Sequence, residues 1–197
     1  MTTGRDAAAS GATTLSARLR AQALEWARGR SWHIRLPLLL WLGYILVRHL
    51  GAEDYTSLFG GLNLGIHELG HFLFAPLGEF AAVAGGTVLQ LLVPLIGVGM
   101  FWRQEDWFGI AVAFCWLGTN LFNVALYAAD ARAQLLPLVS PASGDPIHDW
   151  AYMLGAVGLL EWDQQIAGLI RISATASMVA GLLLGAWLLL AMYRQPE

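Results

Sequence analysis

Three stretches of the chain, residues 80–101, 107–129 and 170–193, are apolar runs that carry a single charge between them, Arg171. A lipid hydrocarbon core about 30 Å thick takes about 20 residues of helix to cross. Backbone N–H and C=O groups find no water there, so a segment of this length must satisfy them internally as a helix. Two further runs fit the same description. Residues 35–50 have an apolar core from Leu36 to Val47, with Arg35 and Arg48 able to snorkel at its ends. Residues 56–77 end at Pro76 and Gly78, residues that stop helices. Hydrophobic residues make up 57% of the chain and charged residues 13%, and the mean hydropathy of +0.56 lies outside the usual soluble range. The expected fold class is therefore an all-α, polytopic membrane protein with about five transmembrane helices.

The ends and the one long polar gap read differently. Residues 1–14 are small and polar and read as a disordered tail. From Leu15 to about Trp32, Leu15, Leu19, Ala23 and Trp26 recur at helical spacing among arginines, the pattern of an N-terminal amphipathic helix on a membrane surface. Residues 146–160 are helical in pattern but too short to span, so an interfacial or re-entrant helix is expected, with Asp145 as its N-cap and Pro146 as its first residue. The domains are then 1–32, tail and surface helix, and 33–194, a single transmembrane domain holding the site. No cleavable signal peptide is expected, because about thirty largely polar residues precede the first apolar core. With the N-terminus in the cytoplasm, eight arginines (5, 18, 20, 28, 30, 35, 132, 171) fall inside and three (48, 103, 194) outside; an odd span count puts the C-terminus outside. The location expected is a bacterial inner membrane.

Residues 67–71 read HELGH within the second apolar run. On a helix His67 and His71 lie one turn apart on one face, where two imidazoles can hold one Zn²⁺, and Glu68 stands beside it to take a proton from water. Ionisable side chains inside a membrane are functional candidates by default. The fourth helix carries Asn120, Asn123, Tyr127 and Asp130 on one stripe, and Asp130 reaches the depth of His71. That makes Asp130 the leading third ligand, since catalytic zinc commonly takes three protein ligands. His148 is the alternative, with proton donor and lid residue also open for it. Its neighbour Asp149 has a plain explanation as a first-turn acid favouring the helix dipole. Gly85-Gly86 permits close helix approach, Gln90 is an amide deep in the bilayer, and Asn63 lies one turn before His67. Asn63, Gln90, Asn123, Tyr127, His148 and Asp149 are therefore candidates for positioning substrate or supporting the ligands. His33 and His49 fall at membrane boundaries and read as interfacial. Cys115 is the only cysteine, so no internal disulfide or thiolate cluster is available.

HExxH in a membrane helix, a Gly-rich opening to the next helix and an Asn-to-Asp stretch in a later helix together resemble the site-2 protease family of intramembrane zinc metalloproteases. The resemblance covers about residues 55–131. It implies that His67 and His71 bind zinc, that Glu68 is catalytic, and that Asn123 to Asp130 matches the second motif, with Asp130 a ligand and Asn123 positioning substrate. That motif usually carries a proline and ends Leu-Asp-Gly, whereas this one reads NVALYAADA. A zinc peptidase acting on membrane-associated polypeptides is the leading function. A metal-binding scaffold, regulator or carrier and a membrane oxidoreductase are the alternatives. Expected partners are the lipid bilayer and a membrane-protein or membrane-peptide substrate, with a homo-oligomer left open; a net charge of −3 argues against nucleic acid.

Overall fold

A computed structural model describes residues 14–52, 54–137 and 147–194. Seven α-helices follow one another: α1 (Leu15–Ala27), α2 (Trp32–Gly51), α3 (Gly60–Phe74), α4 (Glu79–Arg103), α5 (Trp107–Ala129), α6 (Asp149–Ala156) and α7 (Asp163–Arg194). Short 3₁₀ turns at Ala75–Leu77 and Leu160–Trp162 precede α4 and α7, and no strand occurs among the described residues. The expected all-α membrane architecture holds. Four helices, α2, α4, α5 and α7 with its leading turn, are long and apolar enough to cross a membrane.

The fifth expected span is not one of them. The apolar run 56–77 supplies only 15 helical residues in α3, about 22 Å of rise, against a core of about 30 Å. Residues 56–59 are non-helical and 75–77 form the 3₁₀ turn. Hydropathy counts residues and cannot see that the backbone at either end has left the helix. The last span also starts earlier than expected, at Asp163 instead of near residue 170.

α5 is the centre of the bundle: 61% of its span is buried, against 28% to 39% of the other three. Small residues bring α7 against it. A Cβ on Gly181 would stand 2.5 Å from the Ala111 carbonyl oxygen, and Ser177 Oγ donates to the Phe114 carbonyl at 2.8 Å. α2 closes the other side, Leu42 and Ile45 packing with Cys115, Phe122 and Met178. Many outward side chains are apolar, among them Leu40, Val47, Leu62, Phe72 and Leu183, the surface that a lipid solvent requires.

Contacts define two ends. At the first, Ala23 and Ala27 of α1 join Phe108 of α5 and Leu188 to Met192 of α7 in one cluster, and the rings of Trp32 and Tyr193 meet edge to face at 5.9 Å. At the second, His49 of α2 stacks on Phe122 of α5, and Arg171 of α7 donates to the His49 carbonyl. The two ends of the described bundle, α1 and Arg194, therefore share one end, as four spans require. This corrects the expectation that an odd span count separates them. His49, in the last turn of α2, is buried in the protein, 3% exposed between Tyr55 and Phe122.

A helix does form in the segment expected to hold the surface helix, α1, ending at Ala27 instead of near Trp32; Thr14 caps it through Ala17 N. Residues 1–13, the bulk of the expected tail, lie outside the described residues, as do Asp145 and Pro146. The short helix in 146–160 is present as α6, and His148 is its N-cap, its Nδ1 accepting from Ala151 N at 3.2 Å.

Candidate metal centre

The site is built on the hairpin of α3 and α4. Pro76 lies in the 3₁₀ turn after α3, and Gly78, with φ of 102°, reverses the chain in a backbone region that side chains strain to enter. The two helices then touch backbone to backbone. A Cβ on Gly70 would overlap the Gly85 carbonyl, and one on Gly86 would stand 2.7 Å from His71 Nε2 and 2.8 Å from His67 Cε1. Gly86 is the floor on which both imidazoles lie, so the Gly85-Gly86 pair serves close approach at the point where the histidines need it.

Each imidazole is fixed through its Nδ1. His67 Nδ1 donates to Gln90 Oε1 at 3.1 Å, and His71 Nδ1 donates to the Ala82 carbonyl at 2.9 Å. Both acceptors lie on α4. With each Nδ1 proton committed, each Nε2 offers a lone pair, which is how ligand histidines are commonly oriented. The two Nε2 atoms meet a third acceptor, Asp149 Oδ2, at 2.8 Å from His67 and 3.4 Å from His71. Only a shared proton or a metal cation satisfies two lone pairs and a carboxylate together. Tetrahedral zinc with bonds of about 2.0–2.1 Å holds its ligand atoms about 3.3 Å apart. The His71 separation already matches, and the His67 separation needs to open by about half an ångström. Without a metal, burial alone would raise the Asp149 carboxyl, but a proton carried at Nε2 of the histidine pair supplies hydrogen bonds that outweigh this and hold it below the usual carboxylate range. Its backbone N–H donates to the Tyr127 hydroxyl at 3.2 Å, tying the start of α6 to α5.

Asp130, expected as the third ligand, is engaged elsewhere. It ends α5, and its carboxylate accepts from Leu135 N at 2.9 Å and Leu136 N at 3.0 Å. Its remaining partner is His148 Nε2 at 3.2 Å. Because His148 Nδ1 accepts from Ala151 N, its proton sits on Nε2 and points at Asp130. The two alternatives for the third ligand are thus bonded to each other, and the carboxylate on the histidine pair belongs to the next residue. Asp130 and His148 act as a latch: they anchor the α6 N-terminus to the end of α5 and so hold Asp149 over His67 and His71.

Glu68 lies beside the pair, and His67, Glu68 and His71 can bring one ligand atom each within 4.8 Å of the others. Its carboxylate has no hydrogen bond among the described residues. All of these groups open on a cavity of about 360 Å³ between α3 and α5, lined also by Thr56, Leu64, Val124, Leu126, Leu136 and Ile147. At one end Asn63 bridges the cavity wall: its Nδ2 donates to Asn123 Oδ1 at 2.7 Å, and its Oδ1 accepts from Trp116 Nε1 at 2.9 Å. Non-helical backbone at residues 56–59 borders this cavity through Thr56, the setting in which irregular backbone is tolerated at membrane depth.

The structure gathers His67, Glu68, His71, Gln90, Asn63, Asn123, Tyr127 and Asp149 around one cavity. Sequence reasoning missed the Ala82 carbonyl, the Trp116 indole and the place of Asp149 on the histidine pair. Only the last had a signal, an acid beside a His at a helix start. Comparisons with protein-family models, curated proteins and solved structures found no match to this chain, so the resemblance rests on its own residues.

Proposed function

We propose that the chain is a membrane-embedded zinc metalloprotease that cleaves membrane-associated polypeptides. The observation that carries this reading is the convergence of His67 Nε2, His71 Nε2 and Asp149 Oδ2, with Glu68 alongside, on a mostly apolar cavity among helices long and apolar enough to cross a membrane. His67, His71 and Asp149 would hold the zinc, a three-ligand set of the kind that leaves one position open. When bound, zinc supplies Lewis acidity that polarises a carbonyl and lowers the pKa of water. Glu68 accepts the proton from water and delivers it to the leaving amine. The Asn123 amide N–H₂ has no partner among the described residues and faces the cavity, where it can donate to a substrate carbonyl. Tyr127 holds Asp149 by accepting its backbone N–H and keeps its own hydroxyl proton to donate. The apolar wall of Leu64, Val124 and Leu126 suits a substrate segment drawn from lipid. The membrane proposed is a bacterial inner membrane.

The test is Glu68→Gln beside His67→Ala, expressed in the native host and compared for membrane-protein fragments and for bound zinc. Gln keeps the size of the side chain but cannot accept the proton, and loss of a general base costs about 10²–10⁴-fold in rate. Glu68→Gln should therefore keep zinc and lose cleavage, while His67→Ala loses both. If Glu68→Gln cleaves like the wild type while His67→Ala fails, Glu68 is not the base and water activation by this residue is refuted. If the wild type holds zinc yet yields no fragment that His67→Ala lacks, proteolysis is refuted and the metal-bound scaffold takes its place.

A further inference from the structure

We infer that the metal centre faces away from the cytoplasm, so that the substrate segment is taken from the outer half of the bilayer. The identity of that substrate rests on the proposed function; the sidedness does not. The centre lies far from the end that holds α1. On α4, Gln90 is thirteen residues before Arg103 and Ala82 is twenty-one before it, which places their histidine partners about 20–31 Å up the helix. On α5, Tyr127 is twenty residues after Trp107, about 30 Å by the same rise. These distances put the site in the half of the bundle occupied by His49, Asp163 and α6.

Arginine placement orients that axis. Among the described residues, the α1 end carries seven arginines: Arg18, Arg20, Arg28 and Arg30 in or beside α1, with Arg35, Arg103 and Arg194. The site end carries three, Arg48, Arg132 and Arg171. The bias matches the one read from five spans, but its members differ. Arg103 and Arg194 join the α1 side, and Arg132 and Arg171 leave it. Short loops rich in Arg stay in the cytoplasm, and the first helix usually dominates. Arginines at both ends have partners within the protein: at the site end Arg48 donates to the Tyr44 hydroxyl, Arg132 pairs with Glu161 and Asp163, and Arg171 bonds the His49 carbonyl, while at the α1 end Arg28 pairs with Glu25, so the bias rests on the count of arginines alone. A cytoplasmic α1 end leaves the cavity, the latch and α6 on the other side of the membrane.

The experiment is cysteine labelling of the full chain in intact cells with a membrane-impermeant maleimide. Ala133→Cys places a thiol in the exposed turn after α5, at the site end, and Gln104→Cys places one in the exposed turn between α4 and α5. The native Cys115 is buried and should stay unlabelled until denaturation, an internal control for folding. Ala133→Cys should label in intact cells at least tenfold more than Gln104→Cys, which should need permeabilisation. A second pair, Leu159→Cys and Ser16→Cys, should repeat the pattern if either variant of the first fails to accumulate. Reversed labelling, or equal labelling of the two ends, overturns the inference. The readout needs neither metal nor proteolysis, so a failed Glu68→Gln test would leave it standing, and its own failure would leave the metal centre intact.

Discussion

An alanine at Gly86 would test the centre with a single methyl group. Its Cβ would stand 2.7 Å from Cε1 and Nε2 of His71 and 2.8 Å from Cε1 of His67. Carbon atoms in contact settle at about 3.5–4.0 Å, so the rings and α4 must separate by about 0.7 Å or more. Neither side yields easily. The two Nδ1 atoms are tied to Gln90 and Ala82 on α4 itself, and α4 cannot slide because Gly70 meets Gly85 backbone to backbone. Metal sites tolerate ligand distances within about 0.2 Å, so the displacement exceeds the tolerance several-fold. The expected result is a zinc affinity at least tenfold lower, comparable with the loss of an outer-shell partner, about 10–100-fold. Helix propensity works in the opposite direction, since Ala is favoured over Gly by about 1 kcal/mol in a helix interior, so a failing α4 would not explain the result. Gly97→Ala on the same helix is the control, because its Cβ would meet only Ala113 Cβ, at 3.9 Å. The assay is zinc titration of purified protein against a competing chelator, with circular dichroism to confirm helix content. A Gly86→Ala protein that binds zinc within twofold of the wild type would refute the idea that the imidazoles rest on this glycine when the metal is bound.

Asp149→Asn should reduce zinc affinity more than Asp130→Asn does in the same titration, because only the first removes a carboxylate from the histidine pair; the reverse ranking would return the ligand to Asp130. Gln90→Leu should lower affinity by about 10–100-fold by freeing the His67 Nδ1 proton, and Gln90→Glu should restore most of it because a carboxylate accepts the same N–H. Equal affinities for Gln90→Leu and the wild type would show that the ring is held by other contacts.

The spans were legible because a helix in lipid reports its environment residue by residue, and α4 and α5 fall within three residues of their expected limits. HELGH was legible for a similar reason, since residues four apart on one helix share a face whatever surrounds them. The third carboxylate was not, because Asp149 reaches His67 from 82 residues away, on a helix whose placement depends on packing. A first-turn acid already has an explanation in the helix dipole, so spacing along the chain could not promote it. The stripe on α5 did point to the site, through Asn123 and Tyr127, but a stripe fixes direction and not length. Asp130 is one residue past the helix, where its carboxylate folds back onto Leu135 N and Leu136 N instead of reaching α3.

The miscounted span and the misplaced terminus have one cause. Residues 56–77 are apolar enough to read as a crossing, yet the helix within them is short because it serves the cavity as well as the lipid: Gly60, Asn63, Leu64, His67, Glu68 and His71 line the cavity, and Leu62, Leu69, Phe72 and Leu73 face outward. A full crossing would carry the hairpin turn beyond the opposite end of the bundle. The short α3 instead lets Gly78 return α4 at the depth where Ala82, Gly86 and Gln90 meet the two histidines. The same shortness leaves an even number of full crossings, which brings Arg194 back beside α1 and places the candidate metal centre at the far end. A polar site inside an apolar helix thus alters the topology that hydropathy alone would assign. An apolar run in such a chain crosses the membrane only where the helix within it is long enough to do so.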